Sequence, residues 1–352
     1  MVVENSQRRY RDEYADYKFW IDALIPQTIQ RISFESFSND NESLLEALIS
    51  KAPDLVHLDF ASETRSSRCY QQIVGPKAMR NVRSLHYSGS IMDPDVLRWF
   101  SQMPELSILE LTLDQEDSED PTIPEVDYEA DAFQALTTLK VFTCDHAEID
   151  DQWNLLRQIW KTPLVERLTC VEIKVSEPIL PGMREFDQFM SVLASQSPHV
   201  SNLRIEASGQ PEHFPEIPVE LLSDIRQLPV HTLAIQSPIH SSGDQPLFKT
   251  LGTIYPHLED LDLGSTVVEI SDLITVHSHL PNLRYLNIGV WQSKTNKRKL
   301  ERSWFSENKV PFIFSTHPPH GSGLSLRFRE RRSAPKLCAY NLDFFDLDLI
   351  AV

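Results

Sequence analysis

Near its end the chain repeats a phrase: PHLEDLDLG (Pro256 to Gly264) and PNLRYLNIG (Pro281 to Gly289) share an initial proline, apolar residues two, five and seven places later, and a final glycine. The same frame appears upstream as PDLVHLDF from Pro53, NVRSLHY from Asn81, PELSILEL from Pro104, ALTTLKV from Ala135, ERLTCVEI from Glu166, HVSNLRI from His199 and PVHTLAI from Pro229, with PQTIQRISF from Pro26 a looser first copy. The first apolar residue of each copy serves as an anchor: Ile29, Leu55, Val82, Leu106, Leu136, Leu168, Val200, Val230, Leu258 and Leu283. Successive anchors lie 24 to 32 residues apart. A self-similar period of this size decides a whole fold, because each copy is one unit that must stack on its neighbours to bury its apolar side.

Residues three and five places past each anchor are apolar and alternate with polar ones, so a short strand turns Leu58 and Phe60, or Leu261 and Leu263, to one face and Asp59 or Asp262 to the other. One strand cannot bury that face alone. Parallel stacking buries it, and the rest of each repeat must then cross over, which a helix accomplishes. The intervening segments carry helix signals. Asp93 and Pro94 form a cap and first-turn proline ahead of Val96, Leu97 and Phe100, and Asn41 precedes Leu44, Leu45, Leu48 and Ile49. Helical spacing recurs in Leu155/Leu156/Ile159/Trp160, Phe186/Phe189/Met190/Leu193, Leu221/Leu222/Ile225/Leu228 and Leu247/Phe248/Leu251/Ile254. A proline commonly precedes the next strand, ending the helix and pushing its predecessor into extended geometry.

The L-x-x-L-x-L frame resembles that of leucine-rich repeats, in an irregular and divergent form, over Pro26 to Trp291. The resemblance implies an α/β leucine-rich-repeat solenoid (horseshoe) of about ten repeats, with parallel strands on the concave face and helices on the convex face. It also implies a small polar residue eight places past the anchor, hydrogen-bonded to the turning backbone; Ser90, Cys144, Ser176, Ser208 and Thr266 fit, and five copies do not. Three segments follow: an N-terminal helical cap over 1–25, the solenoid over 26–293 and a basic C-terminal cap or tail over 294–352. Proline-initiated repeats of variable length also resemble the substrate-binding part of fungal F-box proteins, subunits of SCF-type ubiquitin ligases. That likeness implies a substrate-recognition role and a cullin-RING ligase adaptor as partner. No F-box is recognisable ahead of Ile29. IPVELLSDI, Ile217 to Ile225, matches the F-box core, yet it sits between two anchors and reads as part of a repeat.

In such a solenoid the residues two, four and six places past each anchor line the concave sheet, the usual surface for partners. The candidate partner-binding residues are Arg31, Glu35, His57, Asp59, His86, Glu110, Lys140, Glu172, Lys174, Arg204, Glu206, Asp260, Asp262, Tyr285 and Asn287. His57, Asp59, His86 and Glu110 have metal-donor chemistry, but a solvated strand face accounts for them as well, and neither metal nor other cofactor is predicted. Asp114 to Asp131 holds nine carboxylates, no Lys or Arg, and Pro121 and Pro124, which reads as a mobile acidic loop insertion. The opposite bias follows the last repeat: residues 294–336 carry 11 basic and 3 acidic residues against a whole-chain charge of −18.

That acidity argues against nucleic acid and anionic membrane as partners. Only 10 glycines occur in 352 residues, and none forms a G-x-G-x-x-G or G-x-x-x-x-G-K loop for phosphate. Cys69, Cys144, Cys170 and Cys338 lie far apart, without the spacing of a zinc site or a disulfide framework, which suits a reducing compartment. No signal-peptide or membrane-spanning run is present, so the expected localisation is cytoplasmic or nuclear. With no H-E-x-x-H, G-x-S-x-G or nucleophilic-cysteine signature, a non-catalytic module binding a protein partner ranks first, a ligase substrate receptor second and an α/β-fold enzyme last.

Overall fold

The computed structural model describes residues 28–34, 51–60, 80–88, 94–113, 126–129, 131–143, 149–175, 183–207, 217–241 and 246–291, and three short strands at 325–327, 344–345 and 348–350. The predicted cap over 1–25, the Asn41 helix and Ser90, Cys144, Ser176 and Ser208 lie outside them. By its contacts the chain divides into two compact units, Met1–Val171 and Glu172–Val352.

Each of the ten repeats forms a strand that begins two residues after its anchor. In the first unit these are β1 (Arg31–Phe34), β2 (His57–Phe60), β3 (Ser84–Ser88), β4 (Ile108–Leu113) and β5 (Thr138–Thr143). The chain passes into the second unit within β6 (Cys170–Val175), and continues through β7 (Asn202–Ala207), β8 (Ile217–Pro218), β9 (Thr232–Ile235), β10 (Ile239–His240), β11 (Asp260–Glu269) and β12 (Tyr285–Trp291). β8 and β10 form a separate two-residue parallel ladder, β8 lying in the connection from β7 to β9 and β10 in the connection from β9 to β11.

Pairing is parallel and aligns equivalent repeat positions. In the first unit Ser33, Asp59, His86, Glu110 and Lys140 fall in one row across β1 to β5. In the second, Arg204, Ala234, Asp262 and Asn287 fall in one row across β7, β9, β11 and β12. Repeats are tied at the strand entrances, where the carbonyl one residue past an anchor accepts two N–H groups of the next repeat. Val56 O receives Arg83 and Ser84 at 2.8 and 3.1 Å, Ser107 O receives Thr137 and Thr138 at 3.0 Å each, and His231 O receives Glu259 and Asp260 at 2.8 and 3.0 Å. Side chains reinforce the same edge: Asn81 Nδ2 donates to Pro53 O at 2.8 Å, and Asn282 Nδ2 to Pro256 O at 3.1 Å.

The prolines have a definite place in this frame. Pro53, Pro104, Pro198, Pro256 and Pro281 each occupy the second position of a four-residue turn, closed by the anchor N–H on the carbonyl three residues back. The predecessors of Pro256 and Pro281 are held off the helical region: Tyr255 at φ −127, ψ 73 and Leu280 at φ −126, ψ 71. In the copy that has Gln134 in place of proline, the predecessor Phe133 turns left-handed, at φ 54.

Crossovers are α1 (Pro94–Ser101), α2 (Ile149–Ile159), α3 (Met183–Gln196), α4 (Leu247–Ile254) and α5 (Val276–His279). Their apolar faces meet the inward side chains of the strands: Leu85, Leu109, Leu139, Leu203, Leu233, Leu261 and Leu286 are fully buried, as are Phe100, Trp160, Phe186, Phe189 and Phe248. The repeating strand, turn and helical crossover make the fold an α/β leucine-rich-repeat solenoid.

One crossover departs from the α-helical expectation. Val219–Ile225 is a 3-10 helix, and it buries Val219, Leu222 and Ile225 while Leu221 stays half-exposed. Three residues per turn put every third side chain on one face, and the apolar set at 219, 222, 225 and 228 has that spacing. Of the acidic insertion only 126–129 and 131 are described; there the Tyr128 ring lies 5.7 Å from that of Phe133, and burial pushes its phenol up to about 12, against the pull of Arg98. Beyond β12, Ser325–Arg327 (β13) pairs parallel to β12, Phe344–Phe345 (β14) pairs antiparallel to β12, and Asp348–Ile350 (β15) antiparallel to β13.

Candidate functional site

Strand alternation creates the candidate surface. In β4, β5 and β6 the side chains alternate strictly between half-exposed and buried, so Ile108, Glu110 and Thr112, then Thr138, Lys140 and Phe142, then Cys170, Glu172 and Lys174, stand on the open side. Arg31 and His57 are exposed on β1 and β2. Glu35 lies outside the described residues. Two small residues at positions of this face are buried instead: Ser88 is 8% exposed and Ala234, between the longer Arg204 and Asp262, 4%.

In the first unit the open side is cross-linked by hydrogen bonds running at right angles to the strands. Ser33 Oγ donates to Asp59 Oδ2 at 2.9 Å. The His86 ring places Nδ1 2.8 Å from Asp59 Oδ1 and Nε2 3.1 Å from Thr112 Oγ1. A carboxylate can only accept, so Nδ1 carries the proton; Nε2 of the neutral ring then accepts from the Thr112 hydroxyl. Lys140 Nζ lies 3.8 Å from Glu110 Oε2. The His86 and Asp59 side chains are 24% and 21% exposed, shielded enough to hold their geometry and open enough to meet a partner.

The open side of the second unit is chemically different. Arg204 Nη1 lies 3.5 Å from Glu206 Oε1 on the same strand. Asp260 Oδ2 accepts from Thr232 Oγ1 at 3.3 Å, and Asp262 Oδ1 accepts from Asn287 Nδ2 at 2.8 Å and from the Gly264 N–H at 3.2 Å. Both aspartates are thus held by neutral donors. Tyr285 stands half-exposed in register with Asp260.

The predicted residues are therefore brought onto strand faces, with His57, Asp59, His86, Glu110 and Lys140 near one another and Arg204, Asp260, Asp262, Tyr285 and Asn287 on a separate set of strands. Among the described residues no group of three or more His, Cys, Asp or Glu is placed to hold a metal ion, and no helix is long and apolar enough to cross a membrane. Ser33 and Thr112, the two hydroxyls that complete the lateral chain, were not singled out in the sequence. Neither was the edge cluster in which Glu259 meets His231 at 3.6 Å and Arg284 at 3.1 Å. All three edge residues stand one place past an anchor, so aligning the repeats would have found them. In the single described copy with a fitting residue eight places past the anchor, Thr266 is buried and its hydroxyl accepts from the Ile239 N–H at 2.8 Å.

No family model and no curated protein matches the chain. Among solved structures it is similar to the leucine-rich repeat-containing protein LegL7 from Legionella pneumophila, 14% identical, covering 90% of this chain and 99% of that one with a TM-score of 0.49. It is also similar to a chain of the Rad7 and Elc1 complex in yeast, 15% identical over 82% and 85% of the two chains, with a TM-score of 0.38. An internalin (InlF) from Listeria monocytogenes is 12% identical over 79% and 90%, with a TM-score of 0.28.

Proposed function

We propose that this chain is a non-catalytic interaction module that binds a protein partner through the open side of its strands. The observation that carries the reading is the lateral chain Ser33–Asp59–His86–Thr112, which fixes charged and polar side chains of four parallel strands in one arrangement before any partner arrives. Side chains already ordered lose little entropy on binding, which is what a recognition surface requires. Half-exposed Ile108 and Phe142 beside Glu110 and Lys140 add apolar area of the kind a protein partner covers. The cytoplasm or nucleus is the compartment proposed for it.

The test places a photo-cross-linking residue at Ser84, on the open side, and a control at Arg98, exposed on α1. Cross-linking to one defined protein segment from Ser84 and not from Arg98 is expected. Reversing Asp59 and Glu110 together to lysine should abolish it while the circular dichroism spectrum stays that of the parent. Equal cross-linking from both sites, or none from Ser84, would overturn the assignment.

The second reading makes the chain a substrate-recognition subunit of an SCF-type ubiquitin ligase, with a cullin-RING adaptor as partner. Ile217, Val219, Leu222 and Ile225 of the F-box-like segment are fully buried, so docking would have to use other residues. Co-purification of the full chain with the adaptor decides this reading. An α/β-fold enzyme remains the third reading.

A further inference from the structure

His86 sits at the middle of the first unit's row, in register with Asp59 on one side and Glu110 on the other. The charged and titratable groups around it are Asp59 and His57 from β2, Glu110 from β4, Lys140 one strand further in the same row, and Arg31 of β1 in register with His57; on its own strand the half-exposed neighbour is Ser84. With the ring neutral, the row carries two carboxylates and one ammonium, a net negative charge. The same two contacts suit the protonated ring without moving a heavy atom: Nδ1–H still donates to Asp59, while Nε2–H now donates to Thr112 Oγ1, and the Thr112 hydroxyl proton must turn away.

We infer that this face receives a cationic side chain of the partner over the Asp59–Glu110 row, and that proton uptake by His86 releases it. The inference rests on the proposed reading of the face and adds the partner's contact chemistry and its control. Protonation sets a positive charge between the two carboxylates that would attract the partner, and it frees the Thr112 O–H, which the neutral ring consumes. Histidine is the side chain suited to such control, since its charge changes between about pH 5 and 8. Because the ring is bonded on both sides in both states, the change is one of charge and hydrogen-bond direction, not of shape.

Two measurements test it. First, the full chain labelled with 15N-histidine is titrated by NMR, with His86 assigned from the signal lost in His86→Gln. The neutral ring should be the Nδ1–H tautomer, a preference erased in Asp59→Ala; an Nε2–H ring at pH 8 would overturn the inference. Second, the segment cross-linked through Ser84 is synthesised as a peptide and its affinity measured at pH 8 and 5.5. One added charge at a distance of a few ångströms near the surface predicts weakening by about three- to ten-fold on acidification, with His86→Gln markedly flatter. A Ser84 cross-link with the same pH slope in parent and His86→Gln would overturn the gate alone. Absence of any Ser84 cross-link would overturn the face, and the gate with it.

Discussion

Gly252 of α4 lies directly against the backbone of His279 in α5: a Cβ built on Gly252 would stand 2.1 Å from the His279 carbonyl oxygen and 2.9 Å from its carbonyl carbon. Real Cβ atoms do not approach backbone that closely, so the two crossovers depend on a missing side chain. Gly252→Ala raises helix propensity at that position, by about 1 kcal/mol in an isolated helix, yet it must separate α4 from α5. The steric term wins, and a net loss of about 1–3 kcal/mol in urea unfolding is expected. A variant as stable as the parent would show that α5 can move away freely.

Gln134 is the position at which the repeat consensus would place proline. Its predecessor Phe133 is left-handed at φ 54, whereas the residues before Pro256 and Pro281 are at φ −127 and −126. Proline restricts the residue ahead of it to extended conformations, so Gln134→Pro would force Phe133, which is 4% exposed, to a new backbone and a new side-chain direction. The apparent repair of the repeat should destabilise by about 1–3 kcal/mol, read from the denaturation midpoint. A raised midpoint would mean that this turn tolerates the conformation of the other copies.

In the crossover that contains the F-box-like segment, Leu221 and Leu222 are adjacent leucines with opposite environments. Leu222 is fully buried and Leu221 half-exposed. Leu222→Ala should cost about 2–5 kcal/mol, as deletion of a packed core side chain does, and Leu221→Ala well under half of that. Similar losses at both positions would argue for an α-helical crossover in solution.

These three sites show what could be read from residues alone and what could not. The anchors were legible because burial of Leu58 and Phe60, or Leu261 and Leu263, leaves a two-residue alternation that no other element produces. Strand starts, register and the open-side positions followed from that spacing. The 3-10 crossover was also written in the sequence, as the three-residue spacing of Val219, Leu222, Ile225 and Leu228, but the overlapping set at Leu221 and Leu222 mimics an α-helical stripe. The left-handed turn at Phe133 carried only the absence of a proline as its sign. The lateral chain through His86 was half visible: the register brought Asp59 beside it, but which of several hydroxyls would complete the bridge depends on rotamers, which spacing does not report. Nothing in the sequence told that Gly252 lies against a neighbouring backbone.

Tyr255 closes the turn before the ninth anchor, and its hydroxyl crosses to the neighbouring repeat, donating to Leu222 O at 2.9 Å. The ring is 2% exposed, and burial holds its phenol well above the ordinary value of 10.0. A group whose folded pKa is raised favours the folded state while it stays protonated, so this contribution is intact below about pH 10 and is lost as the unfolded chain begins to ionise above it. Tyr255→Phe should therefore have two effects of opposite consequence. At pH 7 it leaves a buried carbonyl without its donor and lowers stability by about 1–3 kcal/mol. Above pH 10 the gap between parent and variant should narrow, because the parent alone loses up to about 1.4 kcal/mol per pH unit from this group. Chemical denaturation at pH 7, 10 and 11 reads both effects; a gap that stays constant across the three would mean that the Tyr255 phenol ionises in the folded chain as readily as in the unfolded one.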